Sequence, residues 1–341
     1  MSSTVDMQAL QRLRTRFSQA LRDFADSPAS FQILHTIPTS HPPSSTIPIK
    51  TLYVLDSSFN PPSRAHLSLV KATLKQSQLN TKNDSESHTR SSHADGAATD
   101  GGPPRVLFLL ATVNADKKPK PADFEDRLVM MTLMAEELHS IQQPLAESST
   151  YVSSESRAPI VDIGITKQPY FIDKAKSIEQ SHAYSSTSTS TTTTKRVEDT
   201  PITQVHITGF DTLTRIFAPK YYPEYTPPLS ALQPFLSRHR IHATIRVEST
   251  STNDNDVKDE FGTIDSQRAY LDGLARGDLE DQGLKREWAG QVDLVVDESG
   301  DAQGVSSTKA RECVKEGRKD ELSRYVGDGV RTWIVERGLY A

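Results

Sequence analysis

The stretch Leu52-Tyr-Val-Leu-Asp-Ser-Ser-Phe-Asn-Pro-Pro-Ser-Arg-Ala-His66-Leu67 decides the fold of this chain. Its first residues, Leu52 to Leu55, form an apolar run that is typical of a buried strand. Small and turn-forming residues follow at once, and His66 then opens a helical pattern. A strand that turns directly into a helix N-terminus presents free N–H groups and the positive end of the helix dipole. The pattern therefore predicts an anion site, such as one for a nucleotide phosphate.

Similar apolar runs recur along the chain, separated by helical or loop sequence. They predict five further strands, over residues 105–111, 160–165, 205–209, 241–247 and 292–296. Alternating β and α units favour an α/β fold with a doubly wound parallel sheet. Ligands of such sheets bind outside the carboxyl ends of the strands, which is where Ser57 to His66 would lie.

Stretches of polar sequence predict where the domain begins and where insertions interrupt it. Residues 1–45 are predicted to hold an amphipathic helix, Met7 to Phe24, and a linker rich in Pro, Ser and Thr. A single domain would then cover residues 46–341. Within it, residues 76–104 and 181–203 are predicted to be disordered insertions, because they offer little apolar surface to bury. Residues 249–290 are predicted to be a polar insertion.

The overall composition excludes several classes of protein. The chain has 341 residues, a mean hydropathy of −0.52 and a net charge of −5, which argues against a protein that coats nucleic acid. Cys313 is the only cysteine, so no disulfide can form within the chain, as suits a reducing compartment. No apolar run approaches the roughly 18 residues of a membrane span. We expect a soluble protein of the cytosol or nucleus with neither nucleic acid nor membrane as a partner.

The opening stretch resembles the G-x-F-N-P-x-[TH]-x-x-H signature of the nucleotidylyltransferase superfamily. Ser58-Phe59-Asn60-Pro61 and Ser63-x-x-His66 carry the resemblance. Ser57 stands where the signature has glycine, which lets the backbone approach a substrate closely. The resemblance implies a Rossmann-like fold, and the alternative is an ordinary strand with a histidine in the first turn of a helix.

A second motif lies near the end of the chain. Val305-Ser-Ser-Thr-Lys-Ala-Arg311 matches the I-S-S-T-x-x-R motif of the same superfamily. Three hydroxyls at a helix N-terminus, with an arginine one turn along, are suited to hold a triphosphate. Mere helix capping is the alternative for such a Ser-Ser-Thr string. We expect the side chains of His66 and Arg311 to converge on one anion.

Two weaker motifs occupy the ends of other strands. Lys117 and Lys118 follow the second predicted strand, where the alternative is a solvated loop. Gly209 and Asp211 follow the fourth and resemble a G-x-D-x-[LF] element, where the alternative is a glycine turn with an N-cap aspartate. In this order the motifs resemble those of nicotinamide mononucleotide adenylyltransferases. Gly209-Phe-Asp-Thr-Leu213 followed by Pro219-Lys-Tyr-Tyr222 is most similar to a divergent fungal group of that family. The resemblance runs from about Thr51 to Tyr340.

The tryptophans that stack the nicotinamide ring in this family have no clear match. Tyr170 or Phe171 could supply a stacking surface instead. Arg246 is a candidate phosphate contact, although a solvated arginine is an equal alternative.

The resemblance implies transfer of an adenylyl group from ATP to nicotinamide mononucleotide, forming NAD and pyrophosphate, with Mg²⁺ arriving on ATP. Disordered insertions would leave room for protein partners. The residues to which it assigns catalysis are His66, Lys118 and Arg311. Those assigned to ATP binding are His66, Lys117, Lys118, Gly209, Asp211, Ser306, Ser307, Thr308 and Arg311. Those assigned to the mononucleotide are Ser57, Ser58, Phe59, Asn60, Tyr170, Phe171 and Arg246.

Two other functions fit the same residues. One is transfer of a nucleotidyl group to a different acceptor, which the missing tryptophans favour. The other is a nucleotide-binding or ATP-hydrolysing regulatory protein that has lost transfer, which Ser57 in place of glycine favours. A panel of acceptors tested with ATP and CTP separates transfer to another acceptor from transfer to nicotinamide mononucleotide. Formation of NAD, as opposed to release of phosphate alone, separates transfer to nicotinamide mononucleotide from a protein that has lost transfer.

Overall fold

The computed structural model describes residues 6–40, 49–87, 102–113, 122–141, 158–184, 202–245, 261–297 and 299–341. Its strands are β1 Phe31–Ile37, β2 Thr51–Asp56, β3 Arg105–Ala111, β4 Ile160–Thr166, β5 Thr203–Gly209, β6 Arg240–Ile245 and β7 Val292–Val296. Its α-helices are α1 Met7–Asp26, α2 Arg64–Ser87, α3 Phe124–Ile141, α4 Phe171–Gln180, α5 Phe210–Ile216, α6 Gln233–Leu236, α7 Ile264–Arg276, α8 Ser307–Lys315 and α9 Asp328–Arg337. Short 3-10 helices cover Pro219–Tyr221, Pro228–Leu232, Arg286–Gln291 and Lys319–Arg324.

The described strands form one seven-stranded sheet in the order β1-β4-β3-β2-β5-β6-β7. All neighbouring pairs are parallel except β1 with β4. The chain runs outward from β2 to β4 on one side and then returns to place β5 on the other side of β2. The order therefore reverses between β2 and β5, which makes this pair the switch point of the sheet. The predicted α/β, doubly wound architecture is confirmed.

Side chains of each central strand alternate between the two faces of the sheet. Phe108 of β3 packs in the larger core with Trp333 of α9, whereas its neighbours Leu107 and Leu109 pack on the opposite face with Phe31. Helices α1, α2, α3, α8 and α9 supply the larger core, and α4 to α7 cover the other face. Among the residues that the structure describes, no helix is both long and apolar enough to cross a membrane.

The N-terminal segment is part of the domain, so the predicted boundary near residue 45 is wrong. Strand β1 pairs antiparallel with β4, with Phe31 opposite Thr166. Helix α1 packs on α3, where Arg14 Nε donates to Asp126 Oδ1 at 3.0 Å. The run Phe31 to Ile37 has polar residues at Gln32, His35 and Thr36 and follows a helix directly, so its strand character is weak in the sequence.

Parts of both stretches that were predicted to be disordered insertions are folded. Helix α2 continues through Ser87, so residues 76–87 are helical although their sequence is polar. Beyond α4, Tyr184 is buried and its hydroxyl donates to Asp162 Oδ2 at 3.0 Å, so residues 181–184 are also ordered. The remaining parts of both insertions, residues 88–101 and 185–201, lie outside the described residues.

The predicted polar insertion over residues 249–290 contains folded elements. Helix α7 begins with a capping box between Thr263 and Ser266 and ends at Gly277, whose φ of 99° favours glycine. Its Leu274 packs with Leu284 and Trp288 in the core that covers β6. Only residues 249–260 of this stretch remain outside the described chain.

Candidate active site

The carboxyl ends of β2 and β5 meet at the switch point. The loop after β2, residues 57–63, leads into α2, and Gly209 ends β5 beside it. Strands β2 and β5 are hydrogen-bonded neighbours, with Leu55 opposite Ile207. Doubly wound sheets bind their ligands in the crevice at such a point. The structure thus places the residues of the opening sequence stretch where the fold offers a ligand site.

His66 lies in the first turn of α2 and is held at both ring nitrogens. The backbone N–H of Ser63 donates to Nδ1 at 3.0 Å, and the Ser63 hydroxyl lies 2.9 Å from the same nitrogen. Nε2 lies 2.8 Å from the hydroxyl of Ser57. These contacts fix the plane of the imidazole beside the end of β2. Ser57, which replaces the glycine of the signature, is therefore in direct contact with the predicted catalytic histidine.

The loop between these two residues turns at Phe59. Its φ of 45° lies in the left-handed region, which is strained for a bulky side chain. The Phe59 ring is fully buried and packs against His66 and Phe108, at centroid distances of 5.3 and 5.8 Å. Phe59 can therefore line a mononucleotide site only through its backbone, because its ring belongs to the core. Ser58 is exposed, and the Asn60 side chain is buried.

The N-terminus of α8 docks on this loop. The Ser307 hydroxyl donates to the Pro61 carbonyl at 2.8 Å, and Arg311 Nη1 donates to the Asn60 carbonyl at 2.7 Å. Arg311 Nη2 donates to Thr308 Oγ1 at 3.1 Å. Ser306 is the N-cap of α8 and accepts from the backbone N–H of Lys309. The structure thus brings Arg311 to the loop that leads to His66, and their contact with an anion stays a prediction.

Tyr340 also reaches this loop, which sequence reasoning missed. Its hydroxyl donates to Asn60 Oδ1 at 2.8 Å, and burial raises its pKa well above the usual value. Arg127 of α3 lies nearby and is buried. Burial lowers the pKa of Arg127, and the positive charge of Arg311 lowers it further. The guanidinium groups of Arg127 and Arg311 together give this region a positive potential, which favours binding of an anion.

Lys174 of α4 is a second residue that the sequence did not indicate. Its Nζ lies 2.6 Å from Asp56 Oδ2 at the end of β2, and the lysine side chain is only 12% exposed. The signal that could have found this pair is Asp56 itself, a carboxylate at the end of an apolar strand. The ion pair stands beside the start of α4, where the mononucleotide was expected.

The two candidate stacking residues at the start of α4 differ in their surroundings. Phe171 packs edge-on against His206 and Phe235, at centroid distances of 4.9 and 4.8 Å. Tyr170 is 48% exposed. The core contacts of Phe171 leave Tyr170 as the better candidate for stacking on a ligand.

At the end of β5, Gly209 leaves open space beside the backbone. A Cβ added there would meet no atom within 4 Å, and its φ of −81° is an ordinary one. The glycine is thus compatible with a ligand that lies against the backbone. Gly209 itself is the N-cap of α5, and Asp211 is exposed in the first turn. The alternative in which Asp211 is the N-cap is therefore wrong.

Three predicted residues, Lys117, Lys118 and Arg246, lie outside the described residues. Across the ranges that the structure covers, no group of three or more His, Cys, Asp or Glu side chains is arranged to hold a metal ion.

The chain is 28% identical over 312 residues, 91% of each chain, to the "Putative nicotinamide mononucleotide adenylyltransferase" of Schizosaccharomyces pombe. The similarity to this relative extends over nearly the whole of both chains. The order of the sequence motifs and the doubly wound sheet agree with this similarity. No protein-family model matches the chain.

Among solved structures, the chain is similar to nicotinic acid mononucleotide adenylyltransferase of Plasmodium falciparum. The complex of that enzyme with NaAD aligns with a TM-score of 0.42 at 14% identity, over 85% of this chain and 97% of that one. Its complex with APC aligns with a TM-score of 0.40 over the same shares.

Proposed function

We propose that this chain is a nucleotidylyltransferase, which transfers the adenylyl group of ATP to nicotinamide mononucleotide and forms NAD. The observation that carries the proposal is the docking of α8 on the loop after β2, through Arg311 and the Asn60 carbonyl. It joins two motifs of one superfamily, 251 positions apart, at the switch point of the sheet. The name of the yeast relative supports the acceptor.

In the reaction, an oxygen of the 5′-phosphate of the mononucleotide attacks the α-phosphorus of ATP. The bond from that phosphorus to the bridging oxygen breaks, and pyrophosphate leaves with the electron pair. The attacking phosphate is already anionic, so the protein needs no nucleophile of its own. Catalysis then consists of positioning and of stabilising the charge that grows on the leaving group.

The described residues divide these tasks between two sides of the site. His66 and its hydrogen-bonded serines face the α- and β-phosphates, and Arg311 with the start of α8 holds the β- and γ-phosphates. Gly209 leaves the space that the adenosine needs. Lys117 or Lys118 adds positive charge. Mg²⁺ would enter bound to ATP and would neutralise part of the phosphate charge.

In this proposal, Tyr170 stacks on the nicotinamide ring of the acceptor. Changing Tyr170 to Ala should raise the KM for nicotinamide mononucleotide more than the KM for ATP, because stacking contributes about 0.5–1.5 kcal/mol. The matched control is Tyr225→Ala, another exposed tyrosine. Equal kinetics for Tyr170→Ala and the parent protein would remove Tyr170 from the site.

The proposal is tested by mixing the protein with ATP, Mg²⁺ and nicotinamide mononucleotide and measuring NAD and pyrophosphate. Equal amounts of the two products are expected, and His66→Ala should lower kcat by about 10²–10³. Parallel reactions with nicotinate mononucleotide and with other phosphate acceptors identify the preferred acceptor. Release of inorganic phosphate without NAD would contradict the proposal.

That last outcome defines a second candidate function, a nucleotide-binding protein that hydrolyses ATP without transfer. The observation that favours it is the Ser57 hydroxyl, which stands 2.8 Å from Nε2 of His66, where the superfamily signature has a glycine.

A further inference from the structure

The contact between Ser57 and His66 has a defined direction. The backbone N–H of Ser63 points at Nδ1 of His66 at 3.0 Å, and a backbone N–H can only donate. Nδ1 must therefore carry a lone pair. In a neutral imidazole the remaining ring proton is then on Nε2.

This tautomer determines what the serine does. Nε2–H donates across 2.8 Å to the Ser57 oxygen, which accepts. The hydroxyl proton of Ser57 is then left to donate to a different group. The side chain is partly exposed at the carboxyl end of β2, so solvent or a ligand can reach it.

We propose that the Ser57 hydroxyl donates a hydrogen bond to a phosphate oxygen of bound ATP and that His66, held by Ser63, polarises this hydroxyl from behind. The inference rests on the proposed function. With a glycine at this position, the histidine could donate directly to the phosphate. In this chain the Ser57 side chain lies between the histidine and the proposed phosphate. Ser57 is then a phosphate-binding residue, and Ser63 is a positioning residue that fixes the tautomer of His66.

The tautomer is tested by NMR on the ligand-free protein labelled with ¹⁵N in its histidines, with the His66 signals assigned by comparison with His66→Ala. We expect Nδ1 to resonate as a deprotonated nitrogen and Nε2 as a protonated one. A proton on Nδ1, or an equal mixture of the two tautomers, would overturn the inference.

The hydrogen bond to ATP is tested by calorimetric titration with ATP and Mg²⁺ in the absence of an acceptor. Ser57→Ala should weaken ATP binding on the order of tenfold, the loss typical of a hydrogen bond to a charged group. Ser57→Thr keeps the hydroxyl and should restore most of the affinity. Ser140→Ala, on the exposed end of α3, is the matched control. Thermal melting of each variant shows that it is folded.

The outcomes separate the inference from the proposed function. Equal or tighter ATP binding by Ser57→Ala would overturn the inference, whether or not NAD is formed. ATP binding that depends on the Ser57 hydroxyl, without NAD formation, would uphold the inference and contradict the proposed transfer. A parent protein that does not bind ATP would overturn both.

Discussion

Asn60 is the residue at which two distant parts of the chain meet. Its carbonyl accepts from Arg311 and its side-chain oxygen accepts from the Tyr340 hydroxyl, across 251 and 280 positions of sequence. The motifs predicted that the first partner would approach this loop. Tyr340 could not be assigned a contact, because one tyrosine after a helix carries no signal about what it touches.

We expect Tyr340→Phe to lower the free energy of unfolding by about 1–2 kcal/mol, because it leaves the buried oxygen of Asn60 without this donor. Urea denaturation measures the change. Tyr225→Phe, at an exposed tyrosine, serves as the control and should behave like the parent protein. A Tyr340→Phe variant as stable as the parent would show that this hydrogen bond contributes nothing.

His206 makes stability depend on pH. Burial lowers its pKa to about 3, with smaller contributions from the charges of His239 and Lys174. The unfolded chain takes up a proton near the ordinary pKa of about 6.5, whereas the folded chain does not until the pH falls much lower. The unfolded state therefore gains protons first, and stability must decrease as the pH falls below about 6.5.

For one proton, this decrease is about 2 kcal/mol between pH 6.5 and pH 5. We expect His206→Phe, which keeps an aromatic ring beside Phe171 and Phe235, to lose most of it. Urea denaturation at several pH values measures the dependence. Part of it should persist, because burial also lowers the pKa of His35 to about 4. His182→Asn, in an exposed turn, should keep the full dependence, and an unchanged slope in His206→Phe would contradict the assignment.

At the scale of elements, the N-terminal helix is tied to the domain by charge as well as by apolar packing. Asp126 of α3 is buried and lies 3.0 Å from Arg14 of α1 and 3.4 Å from Arg337 of α9. One carboxylate thus holds two helices against a third. Its hydrogen bond to Arg14 is the main reason that the pKa of this arginine is raised.

We expect Arg14→Met to cost about 1–3 kcal/mol of stability, because Asp126 then keeps only one of its two cationic partners. Met retains most of the apolar stem. Arg12→Met on the exposed side of the same helix is the matched control, with an expected change within about 0.5 kcal/mol. Chemical denaturation compares the three proteins, and equal stability of Arg14→Met and Arg12→Met would mean that α1 is held by its apolar side chains alone.

The sequence predicted those elements whose pattern was strong. Strands β2 to β7 are apolar runs, and all six were found. Strand β1 was missed because only Phe31, Thr36 and Ile37 are buried in it, as expected for an edge strand. The far end of α2 was missed because a polar helix and a polar coil have the same composition.

At the scale of the whole molecule, the doubly wound sheet explains how motifs far apart in sequence share one site. The carboxyl ends of parallel strands all lie at one edge, so each strand-to-helix turn faces the same crevice. The motif order therefore predicted that the start of α8 would lie near the loop after β2, where Ser307 and Arg311 contact Pro61 and Asn60. The hydrogen bonds of the loop carbonyls could not be predicted, because they depend on side-chain packing rather than on topology.

The composition of residues 88–101 gives them little apolar surface with which to stabilise the domain. Residues 88–101 contain no apolar side chain larger than alanine. Replacing them with a Gly/Ser linker of equal length should leave the free energy of unfolding within about 1 kcal/mol of the parent value. Thermal and urea denaturation measure it. A loss of several kcal/mol would show that this segment contributes to the stability of the domain.

The antiparallel edge strand β1 is synthesised long before β4, the strand with which it pairs. The Ser30 carbonyl accepts from the Thr166 hydroxyl, 136 positions further along the chain. At roughly 5–20 residues per second, a ribosome needs on the order of ten seconds to deliver that partner. During this interval α1 and β1 have been synthesised, but β1 has no β4 with which to pair. The pairing of β1 with β4 can therefore form only after β2 and β3 have already been synthesised.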